Sequence, residues 1–161
     1  NVKRLDGMAW GALALALDAG KGALAVLAAT RFAGENACVP AALGAVFGHV
    51  FTPWLRGRGG KGVATAAGAY AVLAPAATGV AFFVFALVVA VTRFVSLGSV
   101  LGAATLPIAV SLLSPGGRAT IAAAAIAGLV AWRHRGNFAR MRAGTEPRLG
   151  RRAPGRRGAS R

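Results

Sequence analysis

Between Met8 and Trp132 the chain runs through six apolar segments, and most of its charge in this region falls between them. This pattern restricts the fold more than any motif does. A soluble domain of 161 residues has much surface per unit volume and needs polar side chains to cover it. Only four acids are available, and more than half of the nineteen bases follow Trp132. The chain up to that point is nearly uncharged; the whole is 56% hydrophobic, with a mean hydropathy of +0.59. That is the composition of a chain dissolved in a bilayer.

The segments run from about Met8 to Phe32, Ala37 to Phe51, Val63 to Ala74, Ala76 to Thr92, Val95 to Leu113 and Thr120 to Trp132. The expected fold is all-α, a polytopic transmembrane helical bundle of about six spans. A straight span needs about 20 apolar residues, so the shorter third segment reads as a half-span or as a helix enclosed by the bundle. Ala- and Gly-rich stretches such as Ala119 to Gly128 allow close helix approach. With six crossings, Lys3 and Arg4, then Arg56, Arg58 and Lys61, then Arg93, then Arg133 to Arg142 all fall on one side. The excess of bases makes that side cytoplasmic.

A net charge of +15 invites a nucleic-acid reading. The bases sit instead in the short connections and the tail, where anionic lipid attracts them, so the expected partner is the membrane and not nucleic acid. The lone Cys38 has no internal disulfide partner and reads as a small buried residue. Residues 148–161 are Arg, Gly, Pro, Ser and Ala with one Leu and no apolar periodicity, and read as a disordered cytoplasmic tail after a membrane domain over residues 1–147.

The stretch Gly57 to Thr65, GRGGKGVAT, carries the most chemical information. Its glycines let backbone N–H groups approach an anion, and the helix that follows presents free donors at its N-terminus. Lys61 adds a full charge and Thr65 a hydroxyl. A nucleotide-binding P-loop is excluded, because Leu55 and Gly62 stand where that pattern needs Gly and Ser or Thr. His49 lies at the end of the second segment, where a lone histidine is more often an interfacial or packing residue than a site contact. His134, Asn137 and Arg140 recur at three-residue spacing and share a helix face. Ser96 and Ser99 open the fifth segment and can bond either the backbone or a ligand. Asp18 and Lys21, deep in the first segment, read first as a mutual ion pair. These basic, glycine- and hydroxyl-bearing sites converge at one end of the bundle, which fits a pocket for a phosphorylated substrate. No metal-ligand cluster is visible, and neither His49 nor His134 is followed four residues later by the Asp of soluble-type acyltransferases.

Several runs resemble the signatures of the PlsY-type glycerol-3-phosphate acyltransferases. Gly48-His49-Val50-Phe51 with Gly59-Gly60-Lys61-Gly62-Val63-Ala64-Thr65 is similar to the second signature of that family. Thr92 to Ser99 is similar to the next conserved segment, and Arg133-His134 with Asn137, Arg140, Gly144 and Glu146 to the last. Asn1, Val2 and Arg4 look like the end of the first signature, and Leu17-Asp18 and Lys21-Gly22 also recur in the family. The chain departs from the pattern at Thr52-Pro53 and at Arg56-Gly57-Arg58.

The resemblance implies a seven-span bundle, one span of which would precede Asn1, in a bacterial inner membrane. It implies acyl transfer from acyl phosphate to the sn-1 hydroxyl of glycerol 3-phosphate, with no cofactor. Arg4, Lys61, Ser99, His134 and Asn137 would line the substrate site, with Ser96 as the alternative serine. Gly59, Gly60, Gly62 and Thr65 would hold the phosphoryl group of the donor. Either His134 or a phosphate oxygen would take the hydroxyl proton. From the residues alone, a membrane transporter of a phosphorylated solute is the competing reading.

Overall fold

The structure, a computed structural model, describes residues 2–52, 59–114 and 116–150, with side chains from residue 9 onward. Among the described residues there are helices and no strand, as the apolar segments predict. Helix α1 spans Val2–Ala33, α2 Cys38–Val50, α3 Val63–Leu73, α4 Pro75–Thr92, α5 Val95–Leu113, α6 Gly117–Arg133 and α7 Arg135–Arg142. A 3-10 turn, Glu35–Ala37, joins α1 to α2.

Local chemistry sets the breaks. Pro75 occupies the start of α4 and pushes Ala74 out of helical geometry, to φ −150 and ψ 72, which ends α3. Arg93 closes α4 in the left-handed region at φ 62, and its N–H returns to the carbonyl of Val89.

Three stretches, Ala9–Ala33, Pro75–Thr92 and Val95–Leu113, are long and apolar enough to cross a bilayer. Helices α2, α3 and α6 have 13, 11 and 17 residues, hence about 20, 17 and 26 Å at 1.5 Å per residue. The shortest, α3, is enclosed: Thr65, Ala66, Gly68, Ala69 and Tyr70 are buried. The Tyr70 hydroxyl donates to the carbonyl of Ala119 at 2.8 Å, so its polar tip is satisfied inside the bundle. Outward, Trp10, Phe32, Phe83, Val91, Leu112 and Ile121 are largely exposed. Such a belt is unfavourable against water and at home against lipid.

Helix α1 packs on α2 and α3, α4 on α5, and α5 on α6. The core joins Val46, Val50, Tyr70, Val110, Ile126 and Val130. Between α1 and α3 the contact is backbone to backbone. A side chain at Gly22 would overlap the carbonyl of Thr65, and one at Gly68 the carbonyl of Ala19. Small residues permit this approach, as expected where lipid supplies no hydrophobic drive between helices. The result is a groove of about 1410 Å³ with walls from α1, α3, α4 and α5, closed at one end by α7 and the segment after it.

Candidate active site

The loop entering α3 is held from three directions. The Gly59 N–H donates to the carbonyl of Val50 at 3.2 Å. The Arg133 guanidinium, at the end of α6, donates to the carbonyl of Gly59 at 2.7 Å. Gly62 turns the chain into the helix at φ 83, in the left-handed region that a side chain disfavours. Gly60 lies flat against the His49 ring, where any side chain would collide. Lys61 is thereby projected toward α7, and its Nζ donates to Asn137 Oδ1 at 2.8 Å.

Asn137 is the hub of the next layer. Its amide donates to Glu146 Oε1 at 2.6 Å, and the same oxygen accepts from Ser96 Oγ at 2.8 Å. Arg140 Nε donates to Glu146 Oε2 at 2.8 Å. The Glu146 side chain is only 6% exposed. Burial by itself raises its pKa, but donation from Asn137, Ser96 and Arg140 outweighs that and holds the carboxyl below its ordinary range. The acid arrives on a strap after α7. Gly144 reverses the chain at φ 69, the N–H groups of Thr145 and Glu146 donate to the carbonyl of Arg140, and Leu149 N–H donates to the carbonyl of Arg93. Arg148 lies over the Phe94 ring at 4.8 Å. The strap thus ties α7 to the α4–α5 turn.

His134 is the joint between α6 and α7 and is 2% exposed. Its Nδ1 lies 2.7 Å from the carbonyl of Val130. A carbonyl only accepts, so Nδ1 carries the proton and Nε2 keeps its lone pair. Burial lowers the His134 pKa, the Val130 contact opposes that, and nearby Lys61 lowers it further. The Lys61 pKa is also lowered, first by burial, against the attraction of Glu146.

The groove gathers Lys61, His134, Asn137, Ser96, Ser99, His49, Gly60 and Gly62. Ser99 is buried there and donates to the carbonyl of Val95 at 2.9 Å. Two candidates lie off its lining. Gly59 is tucked against the His49 carbonyl. Thr65 is fully buried where α3 meets α1 at Gly22, and its hydroxyl has no partner among the described residues. The side chain of Arg4, the residues Gly57 and Arg58, and residues 151–161 lie outside the described residues. The pairing of Lys21 with Asp18 is present at 2.5 Å, and the lysine also reaches His49. Sequence reasoning gave Glu146 no role at the site. Its signal was available: it is the one acid among the last 29 residues. Arg133 entered the sequence reading as a cytoplasmic base and as part of the last signature, with no role in holding the glycine loop.

From this charged end the groove continues between Leu15 on α1 and Phe82, Phe85 and Leu106 on α4 and α5. Fold and site together define an integral membrane protein with a groove that is polar and basic at one end and apolar along its length. A family model described as glycerol-3-phosphate acyltransferase matches residues 1–144, and the chain belongs to that family. The glycerol-3-phosphate acyltransferase of Roseobacter denitrificans is 43% identical over 152 residues, covering 93% of this chain and 74% of the relative. That of Synechococcus sp. (strain CC9902) is 44% identical over 153 residues, covering 93% and 76%. Two crystal structures of PlsY (YgiH), an integral membrane glycerol 3-phosphate acyltransferase, superpose with a TM-score of 0.84 at 30% identity. One is its lysophosphatidic acid form and the other its glycerol 3-phosphate form; each match covers 93% of this chain, with 78% and 76% of the PlsY chain.

Proposed function

We propose that the protein transfers a fatty acyl group from acyl phosphate to the sn-1 hydroxyl of glycerol 3-phosphate. The products are lysophosphatidic acid, a phospholipid precursor, and inorganic phosphate. The setting is a bacterial inner membrane, with the site and the C-terminus on the cytoplasmic side, where the basic clusters fall. The observation that carries the reading is the 2.8 Å contact of Lys61 with Asn137, which joins the glycine loop to α7 at the charged end of an otherwise apolar groove.

The donor fits that groove lengthwise, its chain along Leu15, Phe82, Phe85 and Leu106 and its phosphoryl group at Gly60 and Lys61. The acceptor's phosphate lies against Arg140 and Asn137, with Arg4 as a further cation. Ser96 and Ser99 stand between the two. The sn-1 oxygen attacks the acyl carbon, a C–O ester bond forms, and the bond from that carbon to the phosphate oxygen breaks. The hydroxyl proton passes to His134 Nε2 and leaves with the phosphate. Phosphate is a good leaving group, so orientation and charge stabilisation by Lys61 and backbone N–H groups supply most of the acceleration.

The test is direct. Purified protein in lipid nanodiscs should form lysophosphatidic acid from glycerol 3-phosphate and acyl phosphate, but not from acyl-CoA. Lys61→Ala should abolish the product. Full turnover by that variant would remove the loop from the mechanism, and proteoliposome flux of glycerol 3-phosphate without acylation would favour a transporter.

A further inference from the structure

The mechanism above leaves Asp18, Lys21 and His49 without a task, yet they meet beside the loop that holds the donor. Lys21 Nζ lies 2.5 Å from Asp18 Oδ1 and 2.5 Å from His49 Nδ1. Asp18 Oδ1 is 3.4 Å from the same ring nitrogen. An ammonium group has protons to give and no lone pair to offer, so Nδ1 of His49 is the acceptor. The neutral ring then carries its proton on Nε2. Asp18, one turn back on α1, fixes the ammonium in the position that enforces this tautomer. His49 thus holds the opposite tautomer to His134, whose proton is on Nδ1.

Where Nε2 lies gives the tautomer its use. Beside it is Gly60, where a side chain would overlap Nε2 itself. Nε2 has no acceptor among the described residues, and both His49 and Asp18 line the groove. The ring is therefore a neutral N–H donor set into the wall at the glycine loop, on the α1 side with Leu15 and Ala19. The acceptor's contacts, Asn137 and Arg140, belong to α7.

Resting on the functional reading above, we infer that Asp18 and Lys21 are positioning residues that hold His49 as its Nε2–H tautomer, so that this N–H donates to a phosphoryl oxygen of acyl phosphate. A hydrogen bond to a charged oxygen is strong enough for its loss to cost about tenfold or more in affinity. Because the contact is to the donor, the KM for acyl phosphate should carry the effect.

Three variants in nanodiscs test this, together with the 15N signals of the His49 ring in the wild type. His49→Leu should raise the KM for acyl phosphate about tenfold or more and leave that for glycerol 3-phosphate within twofold. His49→Gln, which keeps an N–H donor at the ε position with no tautomer to choose, should restore most of the loss. Lys21→Met should raise the same KM in the wild-type background and have little further effect in His49→Gln. The ring should show a protonated Nε2 and a bare Nδ1, a preference that Lys21→Met removes. A protonated Nδ1 in the wild type overturns the inference, as does an unchanged KM in His49→Leu or an equal Lys21→Met effect in both backgrounds. If the leucine variant does not fold, the glutamine variant and the ring signals decide. Wild-type protein that makes no lysophosphatidic acid from acyl phosphate would overturn the functional reading instead, and the ring signals would still settle the tautomer.

Discussion

His134 and Lys61, to which the proposed mechanism gives the chemistry, have their charge states set by the same enclosure. Burial lowers the pKa of His134 below its ordinary 6.5, and Lys61 adds to the effect. Its Nε2 is therefore free to accept a proton across the neutral range and is lost only as pH falls through that lowered value. Burial also lowers the pKa of Lys61 below 10.5, so its charge disappears earlier on the alkaline side than that of an exposed lysine. The profile of kcat/KM against pH should rise with an acid limb below 6.5 and fall with an alkaline limb below 10.5. In His134→Gln the rate should drop by about 10²- to 10⁴-fold and the acid limb should go with it. An acid limb that persists in this variant would place the proton acceptor on the substrate phosphate. Arg133 acts at one remove, through the Gly59 carbonyl. Arg133→Leu removes a charge-assisted hydrogen bond of about 1.5–3 kcal/mol. It should lower kcat/KM about tenfold or more, with the loop glycines more open to hydrogen exchange.

Among the helices, the contact between α1 and α3 is the one most sensitive to a single atom. Gly68→Val would drive a side chain into the Ala19 carbonyl, and backbone cannot step aside as a flexible side chain can. Overpacking of this kind costs about 1–3 kcal/mol, so the thermal midpoint in nanodiscs should fall by several degrees. An unchanged midpoint would mean that the two helices are not in contact at this point. The helices themselves were legible in the sequence. The apolar run from Val95 to Leu113 is α5 to the residue, and Pro75 marked the break before α4. Apolarity and proline act within a few residues, so they can be read locally. Thr65 was placed on the phosphate loop because it follows the glycines by three residues; which way a helix turns its side chains depends on its neighbour, here Gly22 on α1. The strap was equally hidden. It has no periodicity, and Glu146 meets Ser96 across 50 residues of chain.

At the scale of the whole molecule, the proposed function makes the groove a measure of chain length as well as a binding site. Its charged end is anchored by the contacts of Lys61, Asn137 and Glu146, so under the proposed function the acyl chain would extend from a fixed origin along the α4 and α5 lining. Gly79 on α4 lies on this path, and a side chain there would meet no protein atom within 4 Å. A larger residue is accommodated without disturbing the fold and occupies space that the chain would otherwise fill. Each methylene kept from the groove loses about 0.8 kcal/mol, or roughly fourfold in relative kcat/KM. Gly79→Leu should therefore shift the preference of the protein toward shorter acyl phosphates, by tenfold or more once two methylenes are displaced. Competition between a long-chain and a medium-chain acyl phosphate, with both lysophosphatidic acid products quantified, reads the ratio directly. The KM for glycerol 3-phosphate should not move, because the proposed arrangement keeps that substrate at α7, away from Gly79. A ratio unchanged from wild type, in a variant with the wild-type thermal midpoint, would mean that the acyl chain leaves the charged end by another route, between helices and into the lipid.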